Sequence, residues 1–131
     1  MGTKRIAIKI GSNVLTQKNG KLDLNRLSAL VDQLVCLNQA GLEVILISSG
    51  AVASGRSEIS PKTKLDPVEA RQLFSAVGQA KLINHYYTLF AKKGLRCGQV
   101  LTTKENFRSR QHFLTMKQCL TTMLENGVIP I

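Results

Sequence analysis

Acidic residues are scarce in this chain. Eight Asp and Glu stand against 18 Lys and Arg in 131 residues, for a formal net charge of +10. The deficit is concentrated: no Asp or Glu lies between Glu69 and Glu105, an interval that holds Arg71, Lys81, Lys92, Lys93, Arg96 and Lys104. Such a balance fits an anionic partner or an acidic portion of the protein outside these residues. Aromatic residues are also few, at 5%. Helical spacing puts most of them on core faces, whereas a nucleic-acid-binding module interleaves exposed aromatics with its basic residues. Nucleic acid is therefore the weaker choice of partner. No apolar run approaches the roughly 20 residues of a membrane-spanning helix. The opening MGTKRIAIKIG has neither the apolar stretch nor the cleavage site of a secretory leader, and no Ser or Thr at the sixth position for myristoylation. Cys36, Cys97 and Cys119 are far apart, form no C-x-x-C pair and are odd in number. They are expected as free, buried thiols in a reducing compartment, with no clustered ligands for a soft metal. A cytoplasmic protein follows.

What the chain does have is a globular balance, 44% apolar and 20% charged, and two alternating periods. RIAIKI (5–10) reads as a strand, followed by a hairpin-like stretch with the turn signal Asn19-Gly20. Leu27, Leu30, Val31, Leu34 and Val35 recur at helical spacing within a helix from about Asn25 to Ala40, which Gly41 stops. EVILISS (43–49), apolar and β-branched, reads as a strand buried on both faces. Asp66-Pro67-Val68-Glu69 opens a helix predicted to reach Lys93, with a weak point at Gly78. RCGQVLTT (96–103) is a third strand. A last helix, about Arg110 to Asn126, carries Phe113, Met116, Leu120, Met123 and Leu124 as an expected core face. VIPI begins a fourth strand. This β-α-β-α-β-α-β alternation predicts an α/β fold with a parallel, helix-covered sheet. The sequence ends inside a strand, which is expected of a truncated domain.

Ligands in open sheets of this class bind beyond the carboxyl ends of the strands. Two loops there carry chemistry. In KIGSN (9–13), Gly11 permits a tight turn and close approach to the backbone, the N–H groups of Gly11, Ser12 and Asn13 can face phosphate oxygens, and Lys9 adds a full positive charge. By spacing alone, Lys9 equally suits an edge-strand lysine reaching water. SSGAVASG (48–55) is built almost wholly of Ser, Gly and Ala. A helix opening at Gly50–Ala51 aims N–H groups at an anion, and Ser49 offers a hydroxyl. Small residues here also suit packing alone. Side by side, the loops suit a phosphate donor facing an anionic acceptor. His85 and His112 have no carboxylate or nucleophile partner at catalytic spacing and read as packing or surface residues. Gly78 costs about 1 kcal/mol relative to Ala in a helix; close helix packing, within the chain or between subunits, is the expected reason for it.

IAIKIGSNVLT, VILISSGAVASGR, ARQLFSAVGQAKLI and GQVLTTKENFRSRQHFLTMKQCL together resemble the amino acid kinase family, in order and over nearly the whole chain. The resemblance implies a three-layer α/β/α sandwich with a mainly parallel sheet. Among its members the pattern is nearest those that move the ATP γ-phosphoryl group, with Mg²⁺, to the side-chain carboxylate of L-glutamate, the first step of proline biosynthesis. It implies Lys9 as the catalytic lysine, with Lys9, Gly11 and Ser12 at the ATP phosphates. Ser49, Gly50 and Ala51 would bind glutamate. It also implies proline as a feedback inhibitor, sensed near the polar loop between Arg56 and Asp66, and a homo-oligomer. Residues 1–131 would be the N-terminal, substrate-binding part. The family's acidic and amide glutamate ligands, its second lysine and its adenine pocket would lie past Ile131, so that these residues alone would be inactive. A following reductase domain, a basic nucleic-acid-binding module and a non-catalytic amino-acid sensor are the alternative readings.

Overall fold

The computed structural model describes residues 2 and 4–131. The leader and acylation readings include Met1 and Thr3, which lie outside the described residues. In chain order the elements are β1 (Arg5–Ile10), α1 (Ser12–Leu15), α2 (Leu24–Gln39), β2 (Glu43–Ser48), α3 (Ala51–Glu58), α4 (Pro67–Lys92), β3 (Arg96–Gly98), α5 (Lys104–Arg108), α6 (Arg110–Glu125) and β4 (Val128–Pro130). The α/β alternation is the one expected, and both strand pairs are parallel.

The strands do not form one continuous ladder. β1 pairs with β2 and β3 with β4, while β4 runs beside β2 without hydrogen bonds joining them into one sheet. One cause is Pro130. Ile131 donates to the Gly98 carbonyl and accepts from the Val100 amide, so alternation turns Pro130 toward β2, where it has no N–H to offer.

The core lies on one face of these strands. Register pairs Ile8 with Leu46 and Ile6 with Val44, and Val44 and Leu46 are buried under α2 and α4. The α2 stripe Leu27, Val31, Leu34, Val35 meets Leu82, Tyr86 and Phe90 of α4 in that core. Cys97 and Ile129 point into the same core, so Gly98 turns to the opposite face, against Met123 of α6. Helices therefore sandwich β3–β4 in three layers. Over β1–β2 the third layer is missing: Ala7, Lys9 and Ile47 are exposed.

Four expectations change here. β2 is buried on one face rather than both, with Ile47 on the other face 53% exposed. The apolar stripe of α6 is not buried; no α6 residue is, and Phe113 is 43% exposed. With Ile45 and Ile47 it lines an open groove, because periodicity reveals an apolar face but not what covers it. The aromatics divide: Phe74, Tyr86 and Phe90 are buried, whereas Tyr87, Phe107 and Phe113 are exposed. The cysteines are free, but Cys36 and Cys119 are exposed and only Cys97 is half-buried. Position 36 lies off the buried α2 stripe. Burial pushes the Cys97 thiol up, away from reactivity.

α4 starts as its sequence dictates. Asp66 Oδ1 accepts from the amides of Val68 and Glu69 at 2.8 and 2.9 Å, and Glu69 Oε2 accepts from the Asp66 amide at 3.0 Å. Asp66→Ala is expected to cost about 1 kcal/mol, and Asp66→Asn much less, read as shifts of the urea midpoint.

Candidate active site at the carboxyl ends of β1 and β2

β2 ends at Ser48, and two residues, Ser49 and Gly50, connect it to α3. So abrupt a turn needs a left-handed residue, and Gly50 has φ 116°. It is buried, and a Cβ there would stand 3.4 Å from Leu15 Cδ1. The Ser49 amide donates to the Ile10 carbonyl at 2.9 Å, tying the turn to the end of β1.

α3 then opens with unused donors. Its first backbone bond runs from the Ser54 amide to the Gly50 carbonyl, and no side chain caps its N-terminus. The amides of Ala51, Val52 and Ala53 are left without helical partners. They face a cleft of about 440 Å³, whose other walls include Ser12, Asn13, Ser49 and Arg56. No carboxylate lines it. The guanidinium of Arg56 has no salt-bridge partner among the described residues and lies 5.7 Å from the centre of the Phe74 ring. Oriented amides, hydroxyls and a cation with no salt-bridge partner are groups chemically suited to an anion.

α3 can sit here because α4 lets it approach. A Cβ on Gly78 would fall 1.7 Å from the Ala51 carbonyl oxygen, and one on Gly55 would fall 2.0 Å from that of Phe74. α4 is accordingly unbroken at Gly78. The close packing expected of Gly78 is found within the chain, against α3.

The predicted site residues divide. Ser12, Ser49, Gly50 and Ala51 line the cleft. Gly11 precedes α1 with φ −76°, which any residue adopts, so it is not needed for a tight turn. A Cβ there would meet nothing within 4 Å, leaving the backbone open to approach. Lys9 does not line the cleft. Its register partner is Ile47, and its side chain stands on the uncovered face of β1–β2, opposite the core. The strand tolerates an ammonium at this position because that face is not in the core. Arg56 was missed by sequence reasoning. Its only signal is helical spacing from Val52, another residue of the cleft.

Behind the turn, the hydroxyls of Ser48 and Tyr86 lie 2.6 Å apart. Burial pushes the Tyr86 hydroxyl up, and the Ser48 bond draws it partly back. His85 is half-buried beside the Lys81–Glu58 ion pair. Burial, then the Lys81 charge, holds it below the ordinary histidine range against the pull of Glu58. It lies outside the cleft. Among the described residues no group of three or more His, Cys, Asp or Glu is placed to hold a metal ion, and no helix is long and apolar enough to cross a membrane.

A parallel α/β frame with a small-residue turn after its second strand is the arrangement the amino acid kinase resemblance implied. Residues 4–131 match the amino acid kinase family, and the chain belongs to it. It is 68% identical over 127 residues to a glutamate 5-kinase of Bacteroides thetaiotaomicron, covering 97% of this chain and 35% of that protein. It is 47% identical to a glutamate 5-kinase of Chlorobaculum tepidum, with 98% and 36% covered. It is 38% identical to one of Shewanella pealeana, with 100% and 35% covered. The chain thus spans about a third of the length of the curated relatives it matches.

Proposed function

We propose that this chain is the substrate-binding part of a kinase that phosphorylates the side-chain carboxylate of L-glutamate with ATP, forming L-glutamyl 5-phosphate for proline biosynthesis. The nucleotide-binding part would be supplied by residues outside these 131, in keeping with the greater length of the relatives. One observation carries the reading: the unpaired amides at the start of α3 meet Ser12 and Ser49 in an acid-free cleft at the ends of β1 and β2. A carboxylate seated there is already ionised near neutral pH, so no general base is required. The α3 amides and the Ser49 hydroxyl orient it. Ser12, and the backbone left open at Gly11, would receive phosphate oxygens. Lys9 would neutralise charge on the transferred group from the uncovered face.

The residues present do not make a Mg²⁺ site, since no carboxylate lines the cleft. Any Mg²⁺ would arrive on the nucleotide's phosphates. Three free cysteines, two of them exposed, support a reducing, cytoplasmic setting. Proline as a feedback ligand and a homo-oligomeric whole protein rest on the family resemblance.

The test is acyl-phosphate formation by the whole protein, trapped as the hydroxamate. Product is expected only with both ATP and L-glutamate. ATP turnover indifferent to glutamate, or product with aspartate but not glutamate, would refute the reading.

A further inference from the structure

We infer that Tyr86, which lines no part of the cleft, is a positioning residue for acceptor binding: through Ser48 it fixes the Ser49–Gly50 peptide on which the substrate turn depends. The inference rests on the proposed glutamate-phosphorylating reading of that site.

The proton inventory sets the direction of the chain. A serine hydroxyl has one proton, and that of Ser48 is donated to the Ser49 carbonyl at 2.8 Å. The 2.6 Å contact between Ser48 Oγ and the Tyr86 hydroxyl is therefore donated by Tyr86. The order is Tyr86 O–H to Ser48 Oγ, then Ser48 O–H to the Ser49 carbonyl.

Tyr86 is well placed to anchor such a relay. It is fully buried, and its ring stacks on Phe90 with centroids 6.4 Å apart. Ser48 ends β2 on its core face, in register with Ile10. The relay thus draws the Ser49 carbonyl toward the core. A peptide unit is planar and trans, so the Gly50 N–H must point the opposite way, out of the core. Among the described residues the Gly50 amide makes no backbone donation, while its carbonyl accepts from Ser54 to begin α3. The relay therefore sets the direction of the turn's first free donor and the entry angle of the helix carrying the next three. α4 grips this loop twice, at Gly78 by close approach and at Tyr86 by hydrogen bonding.

The experiment compares Tyr86→Phe, Ser48→Ala, the double variant and Ser48→Thr in the whole protein. The KM for glutamate is expected to rise roughly fivefold in each single variant that breaks the relay, the factor set by losing one ordinary hydrogen bond. The KM for ATP should stay near wild type. The double variant should be no worse than the poorer single one, because the groups act in series, and Ser48→Thr should restore the wild-type value. Amide exchange at Ser49 and Ser54 should quicken in the same variants. An unchanged glutamate KM with unchanged exchange, or an ATP KM that moves as far, overturns the inference, as does full additivity. Ser48 itself lines the cleft, so should Tyr86→Phe not fold, Ser48→Ala is read by amide exchange at Ser49 and Ser54, and unchanged exchange overturns the inference. If wild-type protein does not phosphorylate glutamate, the functional reading fails by itself. Exchange at Ser49 and Ser54 then decides whether Tyr86 holds the turn.

Discussion

Replacing Lys9 with alanine in the whole protein is expected to lower kcat by at least about 100-fold, the loss typical when one preorganised group facing developing charge is removed. The structure separates this effect from any on folding. Lys9 is exposed, lies on the face opposite the core, and makes no salt bridge among the described residues. Its removal creates no cavity and strands no buried partner, so the urea midpoint should remain near wild type. The KM for glutamate should change little, because the groups proposed to hold the acceptor are the α3 amides and Ser49, and Lys9 does not line their cleft. Lys9→Arg should recover only part of the rate, since a planar guanidinium does not replace a compact ammonium at a crowded phosphoryl group. Unchanged turnover in Lys9→Ala would assign this side chain to solvent and remove it from the mechanism.

Gly78→Ala should be the most destabilising conservative change in the chain, at about 3 kcal/mol or more. Two effects oppose each other. In an isolated helix, alanine would gain about 1 kcal/mol over glycine. In this helix its Cβ would fall 1.7 Å from the Ala51 carbonyl oxygen and 2.4 Å from the Gly55 nitrogen. Both are backbone atoms, which cannot swing aside as a side chain does. α3 must move off α4, and α3 carries the donor amides of the cleft. Stability and glutamate affinity should therefore fall together. Urea denaturation followed by far-ultraviolet circular dichroism, with glutamate KM measured on the surviving folded protein, checks both. A midpoint equal to or above wild type would mean that the two helices separate at little cost.

Much of this was legible in the sequence because it is local. Asp66-Pro67-Val68-Glu69 contains a complete capping box and predicts the start of α4 to the residue. The β-branched run at 43–48 reads directly as a strand. The small residues at 48–55 read as a strand-to-helix junction, while the left-handed φ of Gly50 is seen only in the structure. The short helices α1 and α5, with four and five residues, are too brief for any period to register. The third strand reads as eight residues, whereas the structure gives three, Arg96–Gly98, with Val100 still donating to the Ile131 carbonyl.

The alternation of strands with the long helices, the small-residue turns and the family were legible in the sequence alone, because capping, backbone freedom and short motifs act over a few neighbouring residues. Tertiary structure decided which face of β1 stays open to Lys9, which helix Gly78 admits, and that α6 keeps its apolar stripe uncovered. It also brought Arg56 into the cleft and Tyr86 behind Ser48. Those outcomes depend on which distant surfaces meet, and a pattern of side chains along the chain does not name its partner.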